Sequence, residues 1–412
     1  MTSASGAGRA TGREGWADFG RVWAAHSMSV FGDQLTLVAL PLATYAETGS
    51  AIAVGLVASA EAVTAVGFGL VAGALADRLP HRRVLVWSDL VRAFVLCALA
   101  GVLLLPRGAV AALAVAAVFL GVARVLHDAA AGAIVPMIVE GPDLLAANGR
   151  MQASEAAATA VGPALAGGLI AVGGVGTAFL ADAATFVASG SAIGSVRRLD
   201  DHAAERTPLG SLVGRLRVDV LEGLRALRAD QAMVRVLVVA AAMNVVAVCV
   251  EAQFIPYASE VLEIGALGIG IYWAIGGTAA VVTSLLVGRR TTASGAAILF
   301  GTGVFSAGVL AAGLWPTFGT VAVTFVAAGV GSALVVTHMA SLRHRRFPVG
   351  LQGRVAMATR TAVFLVVPVP LIAGGWLAKS VNPEALFVAT ASVGLGAVVW
   401  GLVVGLGAVR EG

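Results

Sequence analysis

The sequence predicts an all-α membrane protein of twelve spanning helices in two six-helix bundles, and three observations carry that prediction. Of 412 residues, 58% are hydrophobic and 12% are charged, roughly half the charged share of a soluble domain; mean hydropathy is +0.92. Apolar runs long enough to cross a bilayer, about 20 residues each, recur along the whole chain. The basic residues fall almost entirely into alternate breaks between those runs.

Taken in order, the first apolar run covers 22–46 and stops at Glu47-Thr48-Gly49-Ser50. It is as long as a spanning helix and lacks a small-residue cleavage site, so it is expected to remain as the first helix rather than leave as a signal peptide. The following runs cover 51–76, 84–105, 109–136, 149–173 and 176–196. A polar segment, 197–232, intervenes. Six further runs cover 233–260, 266–288, 294–314, 317–342, 354–379 and 383–408. Most breaks contain charge, proline or glycine, which end helices or sit outside the hydrocarbon. The runs are built from Ala, Val, Leu and Gly rather than aromatics; small residues allow close helix approach where apolar burial no longer drives association.

The arginines test the count. With the N-terminus inside, the inside segments hold 22 basic residues and the outside loops only Arg107 and Lys379, while Arg92, Arg124 and Arg360 lie within helices. That asymmetry is a strong positive-inside signal, and one missed span would invert every later loop. The expected organisation is a cytoplasmic tail over 1–21, a bundle over 22–196, a cytoplasmic linker over 197–232, a second bundle over 233–408 and a short cytoplasmic tail over 409–412. The net charge of +4 is explained by this topology and not by a nucleic-acid surface. Cys97 and Cys249 lie far apart inside apolar runs and read as small buried hydrophobes. Arginine so outnumbers lysine that a bacterial source is expected, with the chain in the cell membrane as a monomer.

The halves resemble each other. Pro163-Ala-Leu-Ala-Gly-Gly168 returns as Pro370-Leu-Ile-Ala-Gly-Gly375, Gly149-Arg150 as Gly353-Arg354, and Pro41 and Gly55 as Pro256 and Gly270. Their shared order argues for a 6+6 duplication, the pattern of transporters with a midplane site. In the linker, Leu209, Leu212, Leu216, Val220, Leu224 and Leu227 recur at helical spacing among arginines, which predicts an amphipathic helix on the cytoplasmic membrane surface.

Between the second and third helices the chain reads Gly73-Ala-Leu-Ala-Asp77-Arg78-Leu-Pro-His-Arg82-Arg83. This resembles the signature loop of the major facilitator superfamily, with Pro80 and His81 departing from the pattern. In the family this loop contacts the eleventh helix and latches the outward-facing state. Gly162-Pro163-Ala-Leu-Ala166-Gly167-Gly168 resembles the superfamily's antiporter motif, with Ala166 in place of one glycine, and that motif goes with exporters. Phe31-Gly32-Asp33-Gln34, Ser88-Asp89-Leu90-Val91-Arg92-Ala93, Ile134-Val135-Pro136 and Ala146-Ala147-Asn148-Gly149 look like the drug-export branch, which contains macrolide-efflux proteins and the enterobactin exporter. The resemblance implies the major facilitator fold, with the first, fourth, seventh and tenth helices lining a central cavity.

An ionisable residue at mid-bilayer costs about 2.5–3.5 kcal/mol on insertion scales and is a functional candidate by default. Asp33 and Glu61 fall midway along the first and second helices. Arg124, His127 and Asp128 share a face of the fourth by their spacing of three and four, and Arg124 stands where the family's fourth-helix arginine is implicated in proton coupling. With the implied cavity, Asp33, Arg124, Asp128, Asn244, Glu251 and His338 become candidates for a polar path. Asp33 is the leading protonatable group, with pairing to Arg124 as the structural alternative. His26, Glu155 and Glu61 are read as cavity or helix-contact groups, Asp89 with Arg92 as a structural pair, and Asp182 as structural on a peripheral helix. No metal ligand set or nucleotide-binding loop stands out.

The expected function is therefore export of an amphiphilic small molecule by alternating access in exchange for protons, with the proton gradient as energy source and no cofactor. Export of a siderophore or other endogenous product stays open beside drug export. A membrane-embedded enzyme or scaffold is the remote reading, since no clustered catalytic residues are found.

Overall fold

In hydrocarbon every backbone N–H and C=O must be satisfied within the chain, so the apolar runs become long helices. The computed structural model describes residues 7–76, 79–104, 109–139, 143–196, 218, 221–287, 293–365 and 382–409. The first six helices are α1 (Ala7–Thr48), α2 (Ala51–Ala76), α3 (His81–Val102), α4 (Ala109–Ile138), α5 (Asp143–Gly173) and α6 (Val175–Gly194). The second six are α7 (Gln231–Glu260), α8 (Ala266–Val287), α9 (Gly295–Leu314), α10 (Phe318–Arg346), α11 (Val349–Leu365) and α12 (Pro383–Val403). Nine of these, among the described residues, are long and apolar enough to cross a membrane.

Polar caps start several helices where the sequence leaves the apolar run. Asp230 accepts from the backbone N–H groups of Ala232 and Met233 at the start of α7, and Thr317 forms a capping box with Thr320 at α10. Asn382 accepts from the Ala385 N–H with Pro383 in the first turn of α12. Each such cap is worth about 1 kcal/mol. Gly174, at φ 78°, turns the chain sharply between α5 and α6.

Several boundaries differ from the sequence reading. The expected tail over 1–21 is helical from Ala7. Its Phe19 is fully buried against Val22, Leu85 and Ile134, and Trp16 donates from Nε1 to Asp143 at 3.2 Å, so this extension is part of the N-terminal bundle. The twelfth helix ends at Val403, short of 408, because Gly405 takes a left-handed φ of 74° and Leu406 folds back into the core. The described end of the linker, 221–229, is helical and packs one side against the C-terminal bundle. Leu227 is buried, Glu222 pairs with Arg354, and Gly223 sits against the Arg354 backbone. Residues 197–217 and 370–375, which carry the rest of the amphipathic pattern and the second copy of the Pro-Gly-Gly repeat, lie outside the described residues.

Within the N-terminal half, α1 packs on α4, α5 and α6, and α3 on α4 and α6; within the C-terminal half, α9 packs on α7, α10 and α12. Among the described residues the halves meet chiefly where α5 crosses α8. That contact is backbone against backbone: a Cβ added at Gly270 would lie 2.2 Å from the Pro163 carbonyl oxygen, and one at Gly277 would lie 2.2 Å from that of Thr159. Gly167 lies as closely against Ala266. Substitution there forces overpacking, which costs about 1–3 kcal/mol. Gly277→Val is thus expected to lower the thermal midpoint of the purified protein, whereas Gly168→Ala, which meets nothing within 4 Å, leaves it unchanged. Equal midpoints in detergent unfolding curves would contradict the close approach.

Candidate functional site

Where the halves join, a cavity of about 410 Å³ collects side chains from both. Leu37, Val57, Leu120, Val248 and Trp273 form apolar walls, and the ionisable groups Asp33, Glu61, Arg124, Asp128, Glu251 and Arg360 stand among them. Arg124 lies within electrostatic range of four carboxylates, Asp33, Glu61, Asp128 and Glu251. Its guanidinium is 3.4 Å from Glu61. Arg124 and Glu61 are 46% and 39% exposed, and that exposure is to the cavity, which explains how α4 and α2 carry charge between apolar turns.

A second cavity, about 460 Å³, shares Asp33, Arg124 and Asp128 with the first and continues past His26, Gln152 and Glu155. His26 and Glu155 approach to 3.3 Å across α1 and α5. The space therefore runs from the midplane toward the arginine-rich end. At the opposite end the halves touch: Tyr45 on α1 donates to Glu260 at the end of α7, beside the α5–α8 crossing.

Behind Asp33 lies a buried ionic network that joins four helices. Arg92 on α3 is 2% exposed; it reaches Asp89 at 2.5 Å and Asp33 at 3.3 Å. Its guanidinium carbon lies 4.0 Å from the centroid of the Phe186 ring on α6, a cation–π geometry. Asp89, fully buried, also contacts Nδ1 of His127 at 3.1 Å, and Ser88 is 3.4 Å from the same nitrogen. Next to this network, Asp182 on α6 accepts from Thr36 at 2.5 Å.

Several expected placements change. Arg92, not Arg124, is the direct partner of Asp33. His127 turns to α3 and Asp89 instead of the cavity, because neighbours on a helix diverge by about 100° and Asp128 takes the cavity side. Asp182 is not peripheral: it lines the cavity wall against α1. His338 is buried and accepts from the Ser294 backbone N–H at 3.2 Å, which places it at the start of α9. Asn244 approaches the Val363 carbonyl at 3.5 Å, between α7 and α11. In the signature loop, Gly73 lies in the last turn of α2, Arg82 donates to the Gly194 carbonyl and Arg83 is exposed; Asp77 and Arg78 lie outside the described residues. In the fifth-helix motif, Gly162 faces Gln34 of α1 and Gly167 faces α8, Pro163 lends its carbonyl to the Gly270 contact, and Ala166 is fully buried. Among the described residues no group of three His, Cys, Asp or Glu side chains is placed to hold a metal ion.

Residues 22–370 match the family described as the Major Facilitator Superfamily. The chain belongs to that superfamily. As a superfamily member it is a multi-pass membrane transporter. Solved structures agree on the fold. A bacterial homologue of the iron transporter ferroportin, in an inward-facing state, is 16% identical with a TM-score of 0.74, covering 94% of this chain and 98% of its own. The peptide transporter POT in complex with sulfate is 15% identical with a TM-score of 0.73, covering 96% of each. A bacterial homologue of the human lysosomal transporter Spinster, also inward-facing, is 11% identical with a TM-score of 0.69, covering 94% and 95%. No curated protein sequence matches the chain.

Burial separates the two arginines of this transporter. Removing Arg92 breaks its buried pairing with Asp89 and leaves His127 as the remaining contact of that carboxylate; breaking a buried pair costs about 3–5 kcal/mol. Arg92→Leu is expected to abolish most of the folded yield in fluorescence-detected size exclusion. Arg124→Leu, whose side chain is 46% exposed, is expected to retain it. Similar losses for both would overturn this distinction.

Proposed function

We propose that this transporter exports amphiphilic small molecules by alternating access, exchanging them for inward-moving protons. The observation that carries the proposal is the midplane cavity between the halves, apolar over most of its wall yet holding four carboxylates around Arg124. Apolar walls take the body of an amphiphile without demanding a fixed hydrogen-bond pattern. Carboxylates beside them offer sites that a proton and a polar cargo group would occupy in turn. The fifth-helix motif, Gly162 to Gly168, supports the exporter direction by its resemblance.

With the arginine-rich end taken as cytoplasmic, both termini lie inside and the cavity faces inward. The halves would then rock about α5 and α8, opening the Tyr45–Glu260 side. The proton gradient supplies the energy and no cofactor is needed; the working unit is a monomer in a bacterial cell membrane. Drug-like compounds are the first cargo class to test. Growth in toxic compounds, set against product secretion by a deletion strain, separates drug export from release of a siderophore or another endogenous metabolite.

Asp33 is the proposed coupling group, since it lines both cavities and also reaches Arg92. In inverted vesicles with an imposed pH gradient and ethidium as probe, Asp33→Asn is expected to cut proton-coupled transport at least tenfold. Glu251→Gln is expected to weaken it less. Normal proton coupling in the Asp33→Asn variant would sink the assignment.

A further inference from the structure

On the outer face of the N-terminal half a groove of about 560 Å³ runs between α3 and α4, separate from the central cavity. It begins at Leu79 and Pro80 and extends to Val91 and Phe119. Those last two residues also open a second apolar groove, about 440 Å³, that continues past Phe94 to Val102. Large side chains are left bare along this line: Trp87 is 65% exposed, Phe94 74% and Phe119 53%.

The dimensions identify what fits. From His81 to Val91 α3 rises about 15 Å, one leaflet of a hydrocarbon core about 30 Å thick. An extended acyl chain lies along an apolar groove of that length, and the charge at one end selects its head group. Polarity fixes the orientation. Arg83 stands exposed at the arginine-rich mouth, and among the described residues no ion pair holds it. Its neighbour Arg82 is tied to the Gly194 carbonyl. The continuing groove toward the other end is lined by apolar residues alone. A ligand with an apolar tail and one acidic head, entering from the arginine-rich leaflet, matches this pattern.

We propose that the α3–α4 groove is a binding site for an anionic glycerophospholipid, one acyl chain lying against Trp87 and Val91 and the phosphate at Arg83. The site is structural in kind and independent of what the central cavity carries. Occupancy would fill the gap between α3 and α4 directly outside the Ser88–His127 contact, since Ser88 lines the groove floor.

Brominated acyl chains quench tryptophan on contact, and Trp87 is a built-in reporter. Full-length protein is placed in nanodiscs with graded fractions of dibrominated phosphatidylglycerol or dibrominated phosphatidylcholine, and the signal of Trp87→Phe is subtracted to isolate Trp87. The expected result is half-maximal quenching at about fivefold lower mole fraction of the anionic lipid, the worth of one arginine beside an anionic surface. Arg83→Gln should bring the ratio to about one without reducing the depth of quenching, and Arg83→Lys should keep it. Equal quenching by both lipids in the unaltered protein overturns the proposal, as does a ratio that survives Arg83→Gln. The unaltered protein gives an independent check: the ratio should fall as salt is raised, and a salt-independent ratio overturns the proposal even if Arg83→Gln does not fold.

Discussion

One guanidinium organises the N-terminal half. Arg92 is buried where water cannot solvate it, so it persists only because Asp89 and Asp33 neutralise it and Phe186 covers its face. An unpaired ion in that position would be prohibitively unfavourable, and the pairing therefore dictates how α1, α3 and α6 must sit. His127 extends the same constraint to α4 through Asp89. Such networks contribute little net stability, but they penalise every other arrangement of the helices. Asp33 belongs to this scaffold and to the cavity wall at once, so a change of charge at the cavity is felt directly by the helices that hold Arg92 in place.

The C-terminal half is held by different physics. Its arginine-poor end is an aromatic cluster in which Phe254 meets Tyr272 and Phe325 edge-on, while Tyr257 stacks on Phe387 and donates to the Ala312 carbonyl at 2.7 Å. Gly329 lets α10 approach the Gly276 backbone of α8. The contact between halves uses the same means, small residues and bare backbone at Gly167, Gly270 and Gly277. Interfaces of that kind gain dispersion energy over a smooth surface and contain no interlocked ions to pull apart. The two halves can therefore remain rigid while the seam between them stays easy to shear.

Much of this was legible before any coordinates. Twelve helices followed from run length and from arginine asymmetry, because hydrocarbon leaves few alternatives to a helix. Asp33, Glu61, Arg124, Asp128 and Glu251 were found because charge in an apolar run has to face something polar. Arg92 was passed over as a cavity-side group since Asp89, three residues earlier, already explained it locally; only tertiary packing brings Asp33 within reach. Asp182 was discounted for its helix, yet Gly32 on α1 lets α6 come close enough for that carboxylate to reach Thr36. The helical start at Ala7 gives little signal because its apolar anchors, Trp16 and Phe19, are sparse among polar residues and pack against partners distant in sequence, Leu85, Ile134 and Asp143. Helix ends set by a single left-handed glycine, as at Gly405, give no signal in an already glycine-rich chain.

The cavity is also unequal in its parentage. Asp33, Glu61, Arg124 and Asp128 all come from the N-terminal half, while the C-terminal half, among the described residues, adds Glu251, Arg360 and the apolar surface around Val248 and Trp273. The two halves thus contribute differently, the first most of the charge and the second an apolar wall that faces it. Substitution in that wall alters the shape and size of the cavity without disturbing the charges opposite. On the proposed transport role, breadth of cargo is therefore open to change along one half of the gene, by substitutions each too mild to endanger folding.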